Sequence, residues 1–279
     1  MEKDREFHFT DQDFEKVRKM IYDRVGISLN PSKREMVYSR LARRLRAKSL
    51  SSFAAYLDLL DRNDHGEWEA FVNSLTTNLT SFFREAHHFP ILAEHIKKIG
   101  RAHPISLWCA ASSTGEEAYS MAITMAEVFG TLNPPVKILA SDVDTSVLEK
   151  ARNGIYSFAQ VEKMPQDKLK KFFTRGMGSK EGLVKIKPEI ADLITFRQIN
   201  LLDESWPIRG PFDVIFCRNV MIYFDKPTQL RILEKFAPLL RPDGLLFAGH
   251  SESFHHAPHV FRLRGKTVYE LASAHGRKL

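Results

Sequence analysis

From residue 105 to residue 250 the chain alternates continuous apolar runs with amphipathic segments, and no other feature limits its fold as much. ISLWCA is followed by EEAYSMAITMAEVF, KILASD by TSVLEKAR, FDVIFCR by PTQLRILEKFAPLL, and GLLFAGH closes the series. A strand that is apolar at every position must be covered on both faces, and helices between such strands make the pairing parallel. The expected class is therefore α/β, a doubly wound sheet. Between KILASD and FDVIFCR lies a stretch too long for one crossover. It holds a helix (PQDKLKKFF), a turn (RGMGSKEG) and an alternating run (LVKIK), which predicts an inserted antiparallel β subdomain near 154–198.

Residues 1–76 read differently, as a small all-helical N-terminal domain. Thr10 precedes DQDFEKVRKMIYDRV, whose Phe14, Val17, Ile21 and Val25 share one face before Gly26 stops the helix. Ser32 and Glu35 form a capping-box pattern for a second helix to about Lys48, Ser51 or Ser52 opens a third, and GEWEAFVNSL makes a fourth. The polar TTNLTSFFREAHHF has no helical or strand period. It begins a connecting region over 77–100, ahead of an α/β domain over 101–279. No run approaches the roughly 18 apolar residues of a membrane span, and MEKDREFHFT lacks a signal peptide's apolar stretch, so a cytoplasmic location is expected. The only two cysteines, Cys109 and Cys217, sit inside apolar runs, so neither a disulfide nor a metal site is expected. The 41 basic against 34 acidic residues, a net +7, suit an acidic partner without naming its kind.

In such a sheet ligands bind beyond the carboxyl ends of the strands. After ISLWCA comes a small-residue loop ending in Gly115, which lets a ligand approach backbone N–H groups or simply makes a tight strand-to-helix turn. Glu116 and Glu117 in the following turn repel phosphate and favour a cationic ligand. After KILASD, Asp142 stands where nucleoside-binding sheets place an acid for ribose hydroxyls, although Asp142 or Asp144 can equally cap the next helix. Acids without a phosphate cradle point to S-adenosylmethionine, which carries a sulfonium and an amino acid but no phosphate. FDVIFCR is followed by Asn219-Val220-Met221-Ile222-Tyr223 rather than an Asn/Asp-Pro-Pro-aromatic motif, so the acceptor is expected to be oxygen rather than an amide nitrogen. Asn133-Pro134-Pro135 precedes the second strand and reads as a loop breaker.

The stretches TTNLTSFFREAHHFPIL, AASSTGEEAYSMAIT, ASDVDTSVLEKAR, FDVIFCRNVMIYFD and LLRPDGLLFAGHSE, in that order, resemble the chemotaxis receptor glutamate O-methyltransferases, the CheR family. The resemblance implies a helical domain, a methyltransferase domain with a β insertion, and methyl transfer from S-adenosylmethionine to receptor glutamates, giving methyl esters and S-adenosylhomocysteine. It implies cofactor contacts at Asn78, Thr80, Arg84, Glu117, Asp142, Asn200, Leu201, Asn219 and Val220; the chemistry of the reaction makes Arg84 and Tyr223 candidates for orienting the acceptor or the cofactor carboxylate. A glutamate is ionised at neutral pH and needs no strong base, so positioning in a water-poor pocket is the main task.

The second helix carries Lys33, Arg34, Arg40, Arg43, Arg44, Arg46 and Lys48 against Glu35 alone, with Val37, Tyr38, Leu41 and Leu45 on the other side. The resemblance makes Arg40, Arg43, Arg44 and Arg46 a docking face for the cytoplasmic helices of chemoreceptors. It also implies that a receptor C-terminal peptide can add to an edge strand of the insertion. Neither nucleic acid nor membrane insertion is expected. Two other readings stand beside this one: a nucleic-acid methyltransferase using the basic helix on phosphates, and a non-catalytic S-adenosylmethionine-binding adaptor. The pairs His87-His88 and His255-His256 are expected at the surface, and Trp68, Trp108 and Trp206 in the core or at domain contacts.

Overall fold

Thr10 opens the first helix as its position predicts. Its hydroxyl accepts from the Asp13 N–H while the Asp13 carboxylate accepts from the Thr10 N–H, satisfying two otherwise unpaired donors. The computed structural model describes residues 5–62, 65–100 and 102–272, so the outermost ends of the expected domains and position 101 lie outside the described residues. The chain divides into two units, Met1–Thr77 with Tyr223–Asp225, and Asn78–Ile222 with Lys226–Leu279.

The first unit contains α1 (Asp11–Val25), α2 (Arg34–Ala47), α3 (Phe53–Asp61) and α4 (His65–Leu75). Gly26 ends α1 in the left-handed region at φ 70°, and Ser52 caps α3 through the Ala55 N–H. The expected Ser32–Glu35 capping box does not form. Pro31 instead starts a short 3-10 turn capped by the Asn30 side chain on the Ser32 N–H, and α2 begins only at Arg34. Val37, Leu41 and Leu45 are buried along α2, with Phe9 and Phe53 rings 4.3 Å apart in the same core.

The second unit contains α5 (His88–Ile99), β1 (Ile105–Cys109), α6 (Glu116–Phe129), β2 (Val136–Asp142), α7 (Thr145–Asn153), β3 (Ile155–Ser157), α8 (Gln166–Phe172), β4 (Phe173–Arg175), β5 (Leu183–Ile186), α9 (Pro188–Ala191), β6 (Ile194–Gln198), β7 (Phe212–Phe216), α10 (Lys226–Phe236), β8 (Leu240–Phe247), β9 (Phe261–Gly265) and β10 (Val268–Leu271). The main sheet runs β6-β2-β1-β7-β8-β10-β9, parallel through β8 and antiparallel at β10 and β9. It is thus a mixed sheet, and its antiparallel edge was not expected. A separate antiparallel sheet, β3-β5-β4, forms the insertion. Residues 194–198, expected inside the insertion, are β6 and pair in parallel with β2, so they belong to the main sheet.

The parallel register sets the site. Cys109 faces Ala140 and Phe216 across β1, which brings the loops after β1, β2, β7 and β8 to one end of the sheet. Phe216 and Phe247 stack at 4.4 Å beneath that end. Trp108 is fully buried against Trp206 and Phe236, and its indole N–H donates to Ser141 Oγ. Trp68 and Trp206 likewise bond carbonyls, of Leu60 and Asn200, which makes all three tryptophans packing residues.

Candidate cofactor and methyl-transfer site

The loop from β1 to α6 turns because two of its residues accept positive φ, Ser113 at 48° and Gly115 at 98°. Gly115 is not a ligand cradle. A Cβ there would lie 2.9 Å from both Ala151 Cβ and Tyr156 Oη, and its own N–H already donates to the Ser112 carbonyl. The glycine lets α7 and the inserted sheet close against the loop, and the tight-turn reading holds.

What the turn presents is the Ser113 N–H. It donates to Asp142 Oδ2 at 2.8 Å, while Asp142 Oδ1 accepts from the Asp144 N–H at 3.0 Å. Asp144, not Asp142, caps α7, accepting from Ser146 and Val147 N–H. Asp142 is thereby left at the end of β2 as a buried carboxylate, and burial raises its pKa to about 6 against those backbone bonds. Asn78 closes the same corner: its amide donates to Asp144 Oδ2 at 2.8 Å and its carbonyl accepts from Ser113 Oγ.

In the first turn of α6 a second cluster begins. Glu117 takes Arg218 Nη1 at 2.7 Å on one oxygen and the Cys109 thiol at 3.3 Å on the other. Burial raises its pKa, with the Arg218 charge opposing. Arg218, whose side chain has no exposed surface, also donates to the Arg84 carbonyl at 2.7 Å and lies 3.2 Å from Glu85 Oε2. Burial alone would raise the pKa of Glu85, but hydrogen bonding from His250, the charge of Arg218 and the Asn219 amide together bring it to about 2. Asn219 stands at φ 59°, held there by Glu252, whose carboxylate accepts from the N–H groups of Asn219, Met221 and Gly249. A Cβ on Gly249 would come within 2.3 Å of the Asn219 amide, so this glycine makes room for Asn219. Phe83, Glu85, Ser113 and Asn219 all carry positive φ without being glycine. Strain of that kind persists only where surroundings impose it, and it gathers at functional sites.

The expected residues divide accordingly. Asn78, Asp142, Glu117 and Asn219 fall into these linked clusters. Arg84 joins them through its carbonyl, while its half-buried guanidinium donates Nη1 to Leu79 O. Asn200 and Leu201 follow β6, fixed by Trp206 on the Asn200 carbonyl and Lys235 on the Leu201 carbonyl. Thr80 and Val220 are half-buried and make no side-chain hydrogen bond among the described residues. Tyr223 is assigned to the helical unit, where its carbonyl accepts from Ser28 N–H. Glu116 is not a site carboxylate, since Thr114 and Gln160 hold it toward the insertion. Sequence reasoning gave no role to Glu85, Arg218, His250 or Glu252. Arg218 was the findable one, because a charge directly after a wholly apolar strand needs buried partners.

A carboxylate at the end of β2, a second at the start of α6 and no phosphate cradle among the described residues fit a ligand with hydroxyls and a cationic amino acid head. Residues 12–76 match the family described as CheR methyltransferase, all-alpha domain, and residues 78–270 the one described as CheR methyltransferase, SAM binding domain. The chain is 55% identical over 269 residues to chemotaxis protein methyltransferase 2 of Pseudomonas aeruginosa, covering 96% of each. It is 54% identical to the chemotaxis protein methyltransferase of Escherichia coli, over 94% of this chain and 92% of that one. With the Salmonella typhimurium enzyme of the same name the identity is 53%, over 94% and 91%.

Proposed function

The chain belongs to the CheR methyltransferase family and is an S-adenosylmethionine-dependent methyltransferase of chemotaxis, and from that premise we propose that its acceptor is a glutamate side chain on the cytoplasmic helices of a chemoreceptor. S-adenosylmethionine supplies a methyl group on a sulfonium. Asp142 accepts hydrogen bonds from its ribose hydroxyls, and Glu117, half-neutralised by Arg218, receives its ammonium. Asn78 and Thr80 on one side, Asn200 and Leu201 on another, and Asn219 and Val220 on a third border the cofactor.

The observation that carries the acceptor is the Arg84 guanidinium. It uses Nη1 on the Leu79 carbonyl, and Nε and Nη2 have no partner among the described residues, so donors remain for one oxygen of an acceptor carboxylate. Arg84 grips one oxygen of the acceptor, because a tight bidentate pair would blunt its nucleophilicity. The other oxygen attacks the methyl carbon as the carbon–sulfur bond breaks, giving an ester and a neutral thioether with no proton moved. Two opposite charges disappear in that step, so a dry site favours it. An orienting role for Tyr223 is the further expectation that Tyr223→Phe tests.

No described helix is long and apolar enough to cross a membrane, and we place the enzyme in the cytoplasm with its receptor partner. The edges of the inserted sheet, β3 and β4, are available for strand addition by a receptor C-terminal peptide. The test is incubation with methyl-labelled S-adenosylmethionine and a chemoreceptor cytoplasmic fragment. Label should enter the fragment and leave as methanol in mild base, as an ester requires. Arg84→Ala and Tyr223→Phe should keep the wild-type melting temperature and lose at least roughly tenfold in rate. Base-stable label, or label in nucleic acid, would overturn the assignment.

A further inference from the structure

The pair His87-His88, expected at the surface, is split: His87 is exposed and His88 has no exposed surface. His88 Nε2 lies 2.8 Å from the Lys266 carbonyl and 3.2 Å from Thr267 Oγ1. A carbonyl only accepts, so Nε2 carries the hydrogen and Nδ1 holds a lone pair. That Nδ1 is buried without a hydrogen-bond partner, and it faces Glu85 Oε2 at 3.7 Å, an oxygen without a hydrogen bond whose charge partner is the Arg218 guanidinium at 3.2 Å. Two acceptors confront each other with no donor between them. Nitrogen and oxygen ligands of a tetrahedral zinc ion, each about 2.1 Å from the metal, stand about 3.4 Å apart.

We propose that Glu85, His87 and His88 form a site for a divalent cation of the zinc class. Their ligand atoms all lie within 4.8 Å of one another. The outer partners suit the role. Nε2–H of His88 is anchored on a backbone carbonyl, its ring is fixed edge-on against Phe247 and Phe216, and the second oxygen of Glu85 is held by His250 and Asn219. Arg218 and the start of α5 oppose a cation here. Among the described acidic side chains, Glu85 is the one whose charge favours a cation at His88. Three protein ligands leave the fourth position open. A bound ion would take from Arg218 the Glu85 oxygen it now approaches, and so would slow the methyl transfer assigned above.

Titration of the metal-free protein with zinc chloride, followed by calorimetry and by the visible spectrum of cobalt in its place, tests binding without reference to catalysis. One ion per chain is expected. His87→Gln and His88→Gln should each weaken binding at least roughly tenfold, since outer-shell changes alone cost that much. His87 is exposed, so its variant keeps the test valid should the buried His88→Gln fail to fold. No stoichiometric binding to the wild type would mean that a water bridges the two acceptors and would overturn the proposal, as would equal affinity in folded His87→Gln. Binding without inhibition of methyl transfer would remove only the coupling to Arg218.

Discussion

Asp142 shows how one residue's surroundings set a testable pH dependence. Its ordinary pKa of 3.8 is raised to about 6, because burial outweighs the Ser113 and Asp144 N–H bonds. Raised acid pKa values mean that the folded chain holds this proton more tightly than the unfolded one. Ionising it therefore costs stability as pH rises from about 4 through 6. In the role proposed for Asp142, ribose hydroxyls bond the ionised form, so ligand binding would release the proton. Affinity for S-adenosylhomocysteine should then be level above about pH 7 and fall below pH 6, by up to tenfold per unit. Calorimetry between pH 5 and 8 checks this. Asp142→Asn should flatten the profile, and Asp142→Ala should cost about 1.5–3 kcal/mol at pH 8. An unchanged profile in Asp142→Asn would assign the proton to another group.

At the scale of elements, the loop between β1 and α6 decides whether the clusters assemble, and its glycine answers to packing. Gly115→Ala meets strain at φ 98° and two contacts at 2.9 Å, together worth about 2–4 kcal/mol, so the melting temperature should fall by roughly 5–15 °C. A fall under about 2 °C would show that α7 or Tyr156 gives way. Elements with a strong period were readable from the sequence: α1 with its Thr10 cap, α6, and the buried strands β1, β2, β7 and β8. ITFRQ, FRLRG and VYEL were not seen as strands, because edge and near-edge strands mix exposed charges with apolar residues and lack a continuous run. The Ser32–Glu35 pattern misled because Pro31 favours the first turn of a helix and Asn30 competes as its cap. Within the site, Asp142 and Glu117 were legible from their place after a strand. Glu85 and Glu252 were not, since their partners come from segments 134 and 33 residues away in sequence.

Across the whole molecule the question is how a net +7 chain meets its receptor, and the basic helix α2 supplies fewer free charges than its sequence suggests. Arg44 makes two bonds to the Glu67 carboxylate, which is 1% exposed and also bound by Tyr56 and Lys48, so it holds α2 to α4. Arg40 Nη1 caps the carbonyls of Ser74, Leu75 and Thr76 at the end of α4. These two of the four expected docking residues are tied into the helical unit; reversing Arg40 would uncap a helix end, and reversing Arg44 would take two hydrogen bonds from a buried carboxylate that keeps Tyr56 and Lys48, at about 1–3 kcal/mol. Arg43 is exposed with no partner among the described residues, and Arg46 is exposed beside Glu6. Of the four residues proposed for docking, that leaves Arg43 and, exposed in its pair with Glu6, Arg46. Arg43→Glu with Arg46→Glu should lower methylation of an intact receptor fragment while leaving the melting temperature and S-adenosylhomocysteine affinity as they are. The wild-type rate should also fall as salt rises from about 50 to 500 mM, because exposed charges are screened beyond roughly 10 Å at 0.1 M. Arg44→Glu should instead lower the melting temperature whatever the substrate. If the Arg43/Arg46 double variant methylates the receptor at the wild-type rate, the receptor meets another face.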